Sequence, residues 1–334
     1  MVKRRRLWGR IVLSYICLFL IMLYGGLMIS IAILGIPSLS SRQFVDEMKD
    51  TSPPVIEMRG GDSLTLAIGD VMAEPGITAY DDSSIPVVEV DSDVDLTKEG
   101  EYRIQYKATD EVGNVAMAER KVKVIRPAGR IYLTFDDGPS EYTNALLDIL
   151  NKYGIKVTFF VTGYGDDALI KREYDEGHTV GLHSMSHNYS YIYANLDNYW
   201  ADLNAVRDRV KQLTGESSNI MRFPGGSSNL VSAVYDGGNK IMSTLITQVS
   251  ERGYKYFDWN IDSNDAGGAS TADEVYANVT NGLRNGGEFV VLQHDVKSFS
   301  VEAVERIIKY GLENGFVFSR LRDNSFNAHH GVNN

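Results

Sequence analysis

Asp136 and Asp137 stand side by side in Thr134-Phe135-Asp136-Asp137-Gly138-Pro139, and His183 and His187 are four apart in His183-Ser184-Met185-Ser186-His187. Further along come Arg222 in Arg222-Phe223-Pro224-Gly225-Gly226, Asp262 and Asp265 in the stretch from Trp259, and His294 in Leu292-Gln293-His294-Asp295. Two adjacent carboxylates repel each other unless a cation lies between them. Two imidazoles four apart share one side of a helical turn, about 5–6 Å apart between Cβ atoms. Two imidazoles, one carboxylate and water make a common catalytic zinc shell. The set therefore predicts a divalent cation, zinc first, although two histidines and a carboxylate suit other first-row ions as well. One aspartate would ligate while its neighbour faces a bound water. A lone histidine with an unperturbed pKa of about 6.5 can serve as acid or base near neutrality. This is the equipment of a metal hydrolase.

The other histidines fit less well. His178 follows Gly177 and reads as a packing or hydrogen-bonding residue, while His329 and His330 belong to a polar tail over 323–334. Thiolate ligation is excluded outside the N-terminal apolar run, because the single cysteine, Cys17, lies inside it.

What must position these residues is a run of short apolar strands alternating with amphipathic helices. Strands are expected at 131–135, 157–161, 179–182, 220–223, 256–259, 289–292 and 316–318, and helices at 144–153, 195–213, 240–252, 271–285 and 301–314. Such alternation builds a parallel sheet, here a (β/α) barrel of about seven strands. Each motif then falls at or just after the carboxyl end of a strand, where barrel enzymes carry their chemistry. The aromatic stretch Tyr189, Tyr191, Tyr193, Tyr199 and Trp200 admits two readings, core packing or stacking against a sugar.

The N-terminal part is organised differently. Lys3, Arg4, Arg5, Arg6 and Arg10 make 1–10 a basic cytoplasmic segment, and 11–36 is an uncharged apolar run long enough to span a bilayer as one helix. A good small-x-small cleavage site is missing, so the helix reads as an uncleaved anchor with everything beyond it outside the cell. Removing those five positive charges from a net −11 leaves about −16, an acidic exported part that argues against nucleic acid as a partner. Residues 37–52 read as a linker. Over 53–126, stretches at 55–58, 63–68, 87–90, 102–108 and 115–125 show partial period-two alternation between Gly-, Asp- and Asn-rich turns, which indicates a small antiparallel sandwich.

Residues 53–126 resemble bacterial immunoglobulin-like surface domains through Gly69-Asp70, Glu74-Pro75-Gly76, Ala79-Tyr80-Asp81 and the stretch from Ala108-Thr109-Asp110 to Gly113-Asn114. Such a module serves as a spacer, a glycan contact or a lid. Residues 129–322 resemble the polysaccharide deacetylase family, carbohydrate esterase family 4, in all five motifs and in order. That resemblance implies a distorted (β/α) barrel that hydrolyses acetyl groups from N-acetylglucosamine polymers or, less often, acetylated xylan. It implies Asp136 as general base, Asp137, His183 and His187 as metal ligands, and His294 as general acid. Arg222 and Asp265 become the pair that orients and tunes the base, and Asp262 a support for structure or for His294. Pro139, Phe223, Pro224, Trp259 and Leu292 become the substrate pocket, with a backbone N–H in the loop after Gly138 facing the oxyanion. Two departures, Ser227-Ser228-Asn229 after Gly226 and Ala266 after Asp265, touch only the sugar subsites. With an outward catalytic domain, cell-wall peptidoglycan is the polymer within reach.

Overall fold

In the computed structural model, residues 50–72 and 74–333 are described. The expected basic segment, membrane helix and most of the linker lie outside them, and among the described residues no helix is long and apolar enough to cross a membrane. From Pro53 onward the chain forms one unit with two parts.

The first part has two sheets. β1 (Val55–Met58) pairs antiparallel with β3 (Ile77–Tyr80), and β2 (Ser63–Ala67), β4 (Val87–Ser92), β5 (Gly100–Thr109) and β6 (Val115–Ile125) form a sheet in the order β2-β6-β5-β4. The expected sandwich is present, but it is not wholly antiparallel, because β2 runs parallel to β6. Leu64, Leu66, Ile104, Tyr106, Val122 and Val124 alternate along β2, β5 and β6 to make its core. Arg120 lies fully buried among them, donating to the carbonyls of Arg59, Gly61 and Gly76 and pairing with Glu74 at 3.0 Å.

The second part is a parallel sheet of β7 (Gly129–Asp136), β8 (Thr158–Thr162), β9 (Thr179–Ser184), β10 (Ile220–Met221), β11 (Lys255–Tyr256), β12 (Ile261–Asp262), β13 (Gly287–His294) and β14 (Phe316–Phe318). Its order is β11-β10-β9-β8-β7-β13-β12, with β14 beside the first half of β7 and β8 beside the second. The expected closed barrel is only partly realised: β11 and β12, each two residues long, do not pair, so the curved sheet stays open along that seam. The helices α1 (Thr143–Lys152), α2 (Asp167–Asp175), α3 (Tyr189–Ile192), α4 (Leu196–Thr214), α5 (Ser232–Tyr235), α6 (Ile241–Glu251), α7 (Ala272–Gly282) and α8 (Ser298–Glu313) complete the alternation.

Side-chain alternation along the strands sorts two cores. Ile131, Leu133 and Phe135 of β7 join the large core under the helices. Tyr132 points the other way, into a smaller interior cluster with Phe160, Ile220, Phe257, Val290, Leu321 and Ala328. Ala328 shows that the segment expected to be a loose polar tail is not loose. Its carbonyl accepts from Asp258 N–H (2.9 Å), and the His329 ring stacks on Tyr256 at 3.9 Å, so the C-terminal segment packs along the open seam.

The sandwich meets the barrel at the amino ends of the strands. Gly60 N–H donates to Asn151 Oδ1 (3.1 Å), and Arg130, second residue of β7, pairs with Asp70 at 2.6 Å. A Cβ on Gly60 would stand 3.0 Å from Gly154 Cα, so this backbone contact requires glycine. With seven steps of β7 between Gly129 and Asp136, the sandwich lies about 23 Å from the catalytic motifs by strand rise. It is not a lid over them.

Candidate active site

The register of two central strands builds the centre of the site. β13 pairs with β7 residue for residue, which sets His294 directly beside Asp136 at the carboxyl ends of both strands. Strand alternation aims Asp136, like Tyr132 and Thr134, at the interior, where it is 3 % exposed. Continued alternation would turn Asp137 away, but its φ of 74° ends the strand and lets both carboxylates reach one place.

His183 arrives by a second irregularity. Along β9, Leu182 pairs with Val161 and Ser184 with Thr162, so His183 is the extra residue of a bulge, which re-aims its ring. His187 sits in the turn after β9 at φ 48°. The pair therefore does not share a helical turn; a strand bulge and a tight turn bring the rings together, with centroids 5.2 Å apart. Asp202, inside α4, fixes that turn by accepting from Met185 N–H (2.8 Å), Ser186 N–H (2.9 Å) and the Ser184 hydroxyl.

Asp137 Oδ1 lies 3.5 Å from His183 Nε2 and 3.3 Å from His187 Nε2. It is buried and has no hydrogen-bond partner, and one donor atom from each of the three residues falls within 4.8 Å of the others. His183 Nδ1 bonds the Arg222 carbonyl (2.9 Å), and since a carbonyl only accepts, Nδ1 carries the proton and Nε2 keeps its lone pair for a cation. Burial holds the His183 imidazole below its ordinary pKa, which also favours the neutral form. The donor set fits a divalent cation.

Around this trio the polar groups are held from behind. Arg222 is fully buried and donates to the Phe257 carbonyl (2.8 Å), the Asp258 carbonyl (2.9 Å), Thr134 Oγ1 (2.7 Å) and Asp136 Oδ1 (2.8 Å). Asp136 Oδ2 is left 3.9 Å from His183 Nε2. Asp265 contacts neither Arg222 nor Asp136. Its Oδ1 is 2.7 Å from His294 Nδ1 and its Oδ2 accepts from His294 N–H, so it serves the histidine and not the base. Burial pulls the His294 imidazolium down, but the hydrogen bond to Asp265 and the charges of Asp136, Asp265 and Asp137 outweigh it and raise the pKa to about 9. His294 Nε2 faces Asp137 Oδ2 at 3.9 Å.

The remaining expected residues divide. Asp262 is exposed and accepts from Asn264 N–H (2.7 Å), so it supports its own loop and does not reach His294. Phe223 is fully buried between Tyr199 and Tyr256, in the core under the helices, so it is not a pocket wall. Pro139, Pro224 and Leu292 are buried beside the motif loops, and Trp259 is half-buried with its ring toward Arg222, 5.6 Å away. In the loop after Gly138, the N–H groups of Ser140 and Tyr142 are already taken by Thr143 Oγ1 and Ser140 Oγ. Tyr193, Tyr199 and Trp200 are buried and Tyr189 stands edge-on to His187, so the aromatic stretch is mainly core. His178 is buried, with Nδ1 accepting from Val157 N–H.

Sequence reasoning missed Asp202, Thr134, Asp258 and His330. Asp258 accepts from Ser227 N–H (2.8 Å), Ser227 Oγ and His330 N–H (2.9 Å), while His330 reaches Trp259 O (2.7 Å) and Ser228 Oγ (3.1 Å). The C-terminal segment thus holds two motif loops from behind. Only its paired histidines distinguished it in the sequence.

A buried arginine on one of two carboxylates, an Asp-His-His cluster and an Asp-supported histidine, all at the carboxyl ends of a curved parallel sheet, define a carbohydrate-esterase type of hydrolase site. Comparison with known proteins agrees. The polysaccharide deacetylase family model matches residues 123–236, and that of the bacterial surface protein Ig-like domain matches 56–124. A peptidoglycan-N-acetylglucosamine deacetylase of Bacillus cereus is 36% identical over 206 residues, covering 58% of this chain and 70% of the relative. A chitin deacetylase of Pestalotiopsis sp. is 32% identical over 58% of this chain and 64% of its own length. The catalytic domain of a peptidoglycan N-acetylglucosamine deacetylase from Eubacterium rectale superposes with a TM-score of 0.59 at 47% identity, covering 61% of this chain and 94% of that one. The chain belongs to the polysaccharide deacetylase family and carries a bacterial Ig-like domain ahead of its catalytic domain.

Proposed function

We propose that this enzyme hydrolyses the N-acetyl groups of peptidoglycan N-acetylglucosamine, releasing acetate and leaving a free amine on the sugar. The observation that carries this reading is the pairing of Asp136 and His294 by register, with Asp136 Oδ2 3.9 Å from His183 Nε2 and His294 Nε2 3.9 Å from Asp137 Oδ2. The 47% identity to a peptidoglycan N-acetylglucosamine deacetylase domain supports the choice of polymer.

Asp137, His183 and His187 would hold a divalent cation, zinc in this proposal, which would supply Lewis acidity toward a carbonyl and a bound water. Arg222 occupies Asp136 Oδ1, so Oδ2 is the atom that accepts the proton of the attacking water. An amine leaves poorly unless protonated. His294, its Nδ1 fixed by Asp265, delivers the proton from Nε2 to the departing nitrogen. One water is consumed: its oxygen ends in acetate, one proton goes to Asp136 and the other is lost from the acetic acid to the amine or solvent, and return of the Asp136 proton to His294 through solvent restores both groups. Trp259, Leu292 and Pro139 would flank the acetyl methyl.

The site of action follows from the anchor expected at 11–36. The catalytic domain works outside the membrane on the cell wall. The test is acetate release from purified peptidoglycan, N-acetylglucosamine oligomers and acetylated xylan in parallel. Release from peptidoglycan at the highest kcat/KM supports the proposal; release from the oligomers or xylan alone reassigns the polymer, and release from none of them refutes the activity.

A further inference from the structure

A large cavity lies far from the catalytic site. It has a volume of 1330 Å³ and lies between the sandwich and the amino ends of the barrel strands. Arg59 comes to it from the sandwich, Lys156 from the segment before β8, and Arg320 and Arg322 from the segment after β14. Among the described residues none of these four forms an ion pair. Arg59 donates only to Thr78 Oγ1 (3.2 Å) and the Arg320 guanidinium to the His178 carbonyl (3.2 Å). Most carboxylates around the cavity are already engaged: Asp70 with Arg130, Asp175 with Lys171, Glu176 with Arg172 and Glu74 with Arg120. Asp62 is the remaining acid, beside Glu176 Oε2, which is buried without a hydrogen-bond partner and whose charge acts on Lys156.

The imbalance runs against the net charge of the whole chain, which is −11. Unpaired cations brought together at one place destabilise each other unless an anion joins them. The half-buried Lys156 records this. Burial lowers its pKa, Glu176 opposes, and Arg320 and Arg59 lower it again. Arg320 is likewise lowered, by burial and by Arg322. Guanidinium groups bind phosphate oxygens in bidentate fashion, and four cations exceed the charge of any single carboxylate. The volume is that of a ligand pocket, larger than one small ion needs.

We propose that this cavity between the sandwich and the barrel is a binding site for a phosphate-bearing polyanion, with Arg59, Lys156, Arg320 and Arg322 as its recognition groups. The Ig-like domain is then half of a second binding site, and an anionic chain held there would leave the catalytic end of the barrel free. The assignment does not depend on the deacetylase reading.

The test is calorimetric titration of the full chain with poly(glycerol phosphate) and separately with inorganic phosphate. The variants are Arg59→Gln, Arg322→Gln and the double Lys156→Gln/Arg320→Gln, and acetate release from soluble N-acetylglucosamine oligomers is followed beside each. The expected result is saturable polymer binding that falls steeply with salt, weakens at least tenfold in the double variant and severalfold in each exposed single variant, and leaves acetate release unchanged. Binding of inorganic phosphate alone would reduce the site to a small-anion site and overturn the polymer assignment. No binding at low salt, or equal binding by the singly substituted, fully folded Arg59→Gln and Arg322→Gln chains, would overturn the site itself.

Discussion

Among the described residues, the two largest side chains wholly withdrawn from solvent are both arginines, Arg120 in the sandwich and Arg222 in the barrel. Both spend their donors on backbone carbonyls of neighbouring segments, which is how a buried guanidinium is tolerated. They differ in the carboxylate each holds. Glu74 Oε1 takes both Arg120 and the Tyr106 hydroxyl, and the partly exposed carboxylate ties loops of the sandwich together. Asp136 gives Arg222 only Oδ1 and keeps Oδ2 toward the histidines. Burial of an ion pair is thus a structural device in one half of the molecule and part of a reactive site in the other. The distinction is what the second oxygen faces, since Asp136 Oδ2 lies 3.9 Å from His183 Nε2 in the histidine cluster.

Replacing each arginine should separate these roles most strongly. Arg222→Lys, which keeps the charge but loses the planar fork, should lower kcat/KM by about 10²–10³ with the fold retained, as circular dichroism and acetate release together would show. Arg120→Ala should destabilise the sandwich by about 3–5 kcal/mol and leave kcat/KM on soluble oligomers within about threefold, because the barrel has its own core. Equal losses of activity in the two variants would end the comparison.

A step smaller is Asp265→Asn. Without the carboxylate, His294 loses the interaction that raises its pKa to about 9, so the acid form disappears at lower pH. The alkaline limb of the kcat/KM profile should move down by more than a unit, and the maximum should fall by about 10²-fold. An unmoved limb would assign it to another group.

Glu173 of α2 offers a contrast in stability. It is fully buried and neither oxygen has a partner, and burial, with the Asp295 charge, raises its pKa well above the ordinary value. The folded carboxyl binds its proton more tightly than the unfolded one, so its contribution is most favourable below the unfolded value near 4.5 and is lost as pH rises toward the folded value. Glu173→Gln should therefore raise Tm near neutral pH, by about 1–3 kcal/mol of stability, and do nothing near pH 4. The smallest effect is expected at His330. His330→Ala removes the bonds to Trp259 O and Ser228 Oγ, and should raise KM about fivefold while kcat holds.

Glu173 also explains a gap in what the sequence revealed. α2 escaped notice because Ile170 and Glu173 are the only residues it buries, so no apolar stripe marks it. β12 is two residues long, and β3 has a partly exposed face, too little for alternation to register. The candidate site residues are legible because chemistry fixes their types and the motifs keep their order. Their geometry was not: the four-residue spacing of His183 and His187 suited a helical turn as well as the bulge and turn that exist. Asp265, which the family resemblance pairs with Arg222 at the base, reaches His294 instead, a choice of partner that the sequence alone does not carry. The C-terminal segment looked like solvent-exposed polar chain since the seam that receives it arises only once β11 and β12 fail to meet.

The central claim is a division of labour between two adjacent aspartates, with Asp137 holding the cation and Asp136 moving the proton. The most direct measurement is the metal content of Asp136→Asn and Asp137→Ala chains after dialysis against zinc, beside their acetate release. The account predicts that Asp136→Asn keeps one metal ion per chain and releases acetate at under about a hundredth of the wild-type rate, while Asp137→Ala loses the metal. An Asp136→Asn chain that stays active, or that loses its metal while Asp137→Ala retains it, would contradict the account.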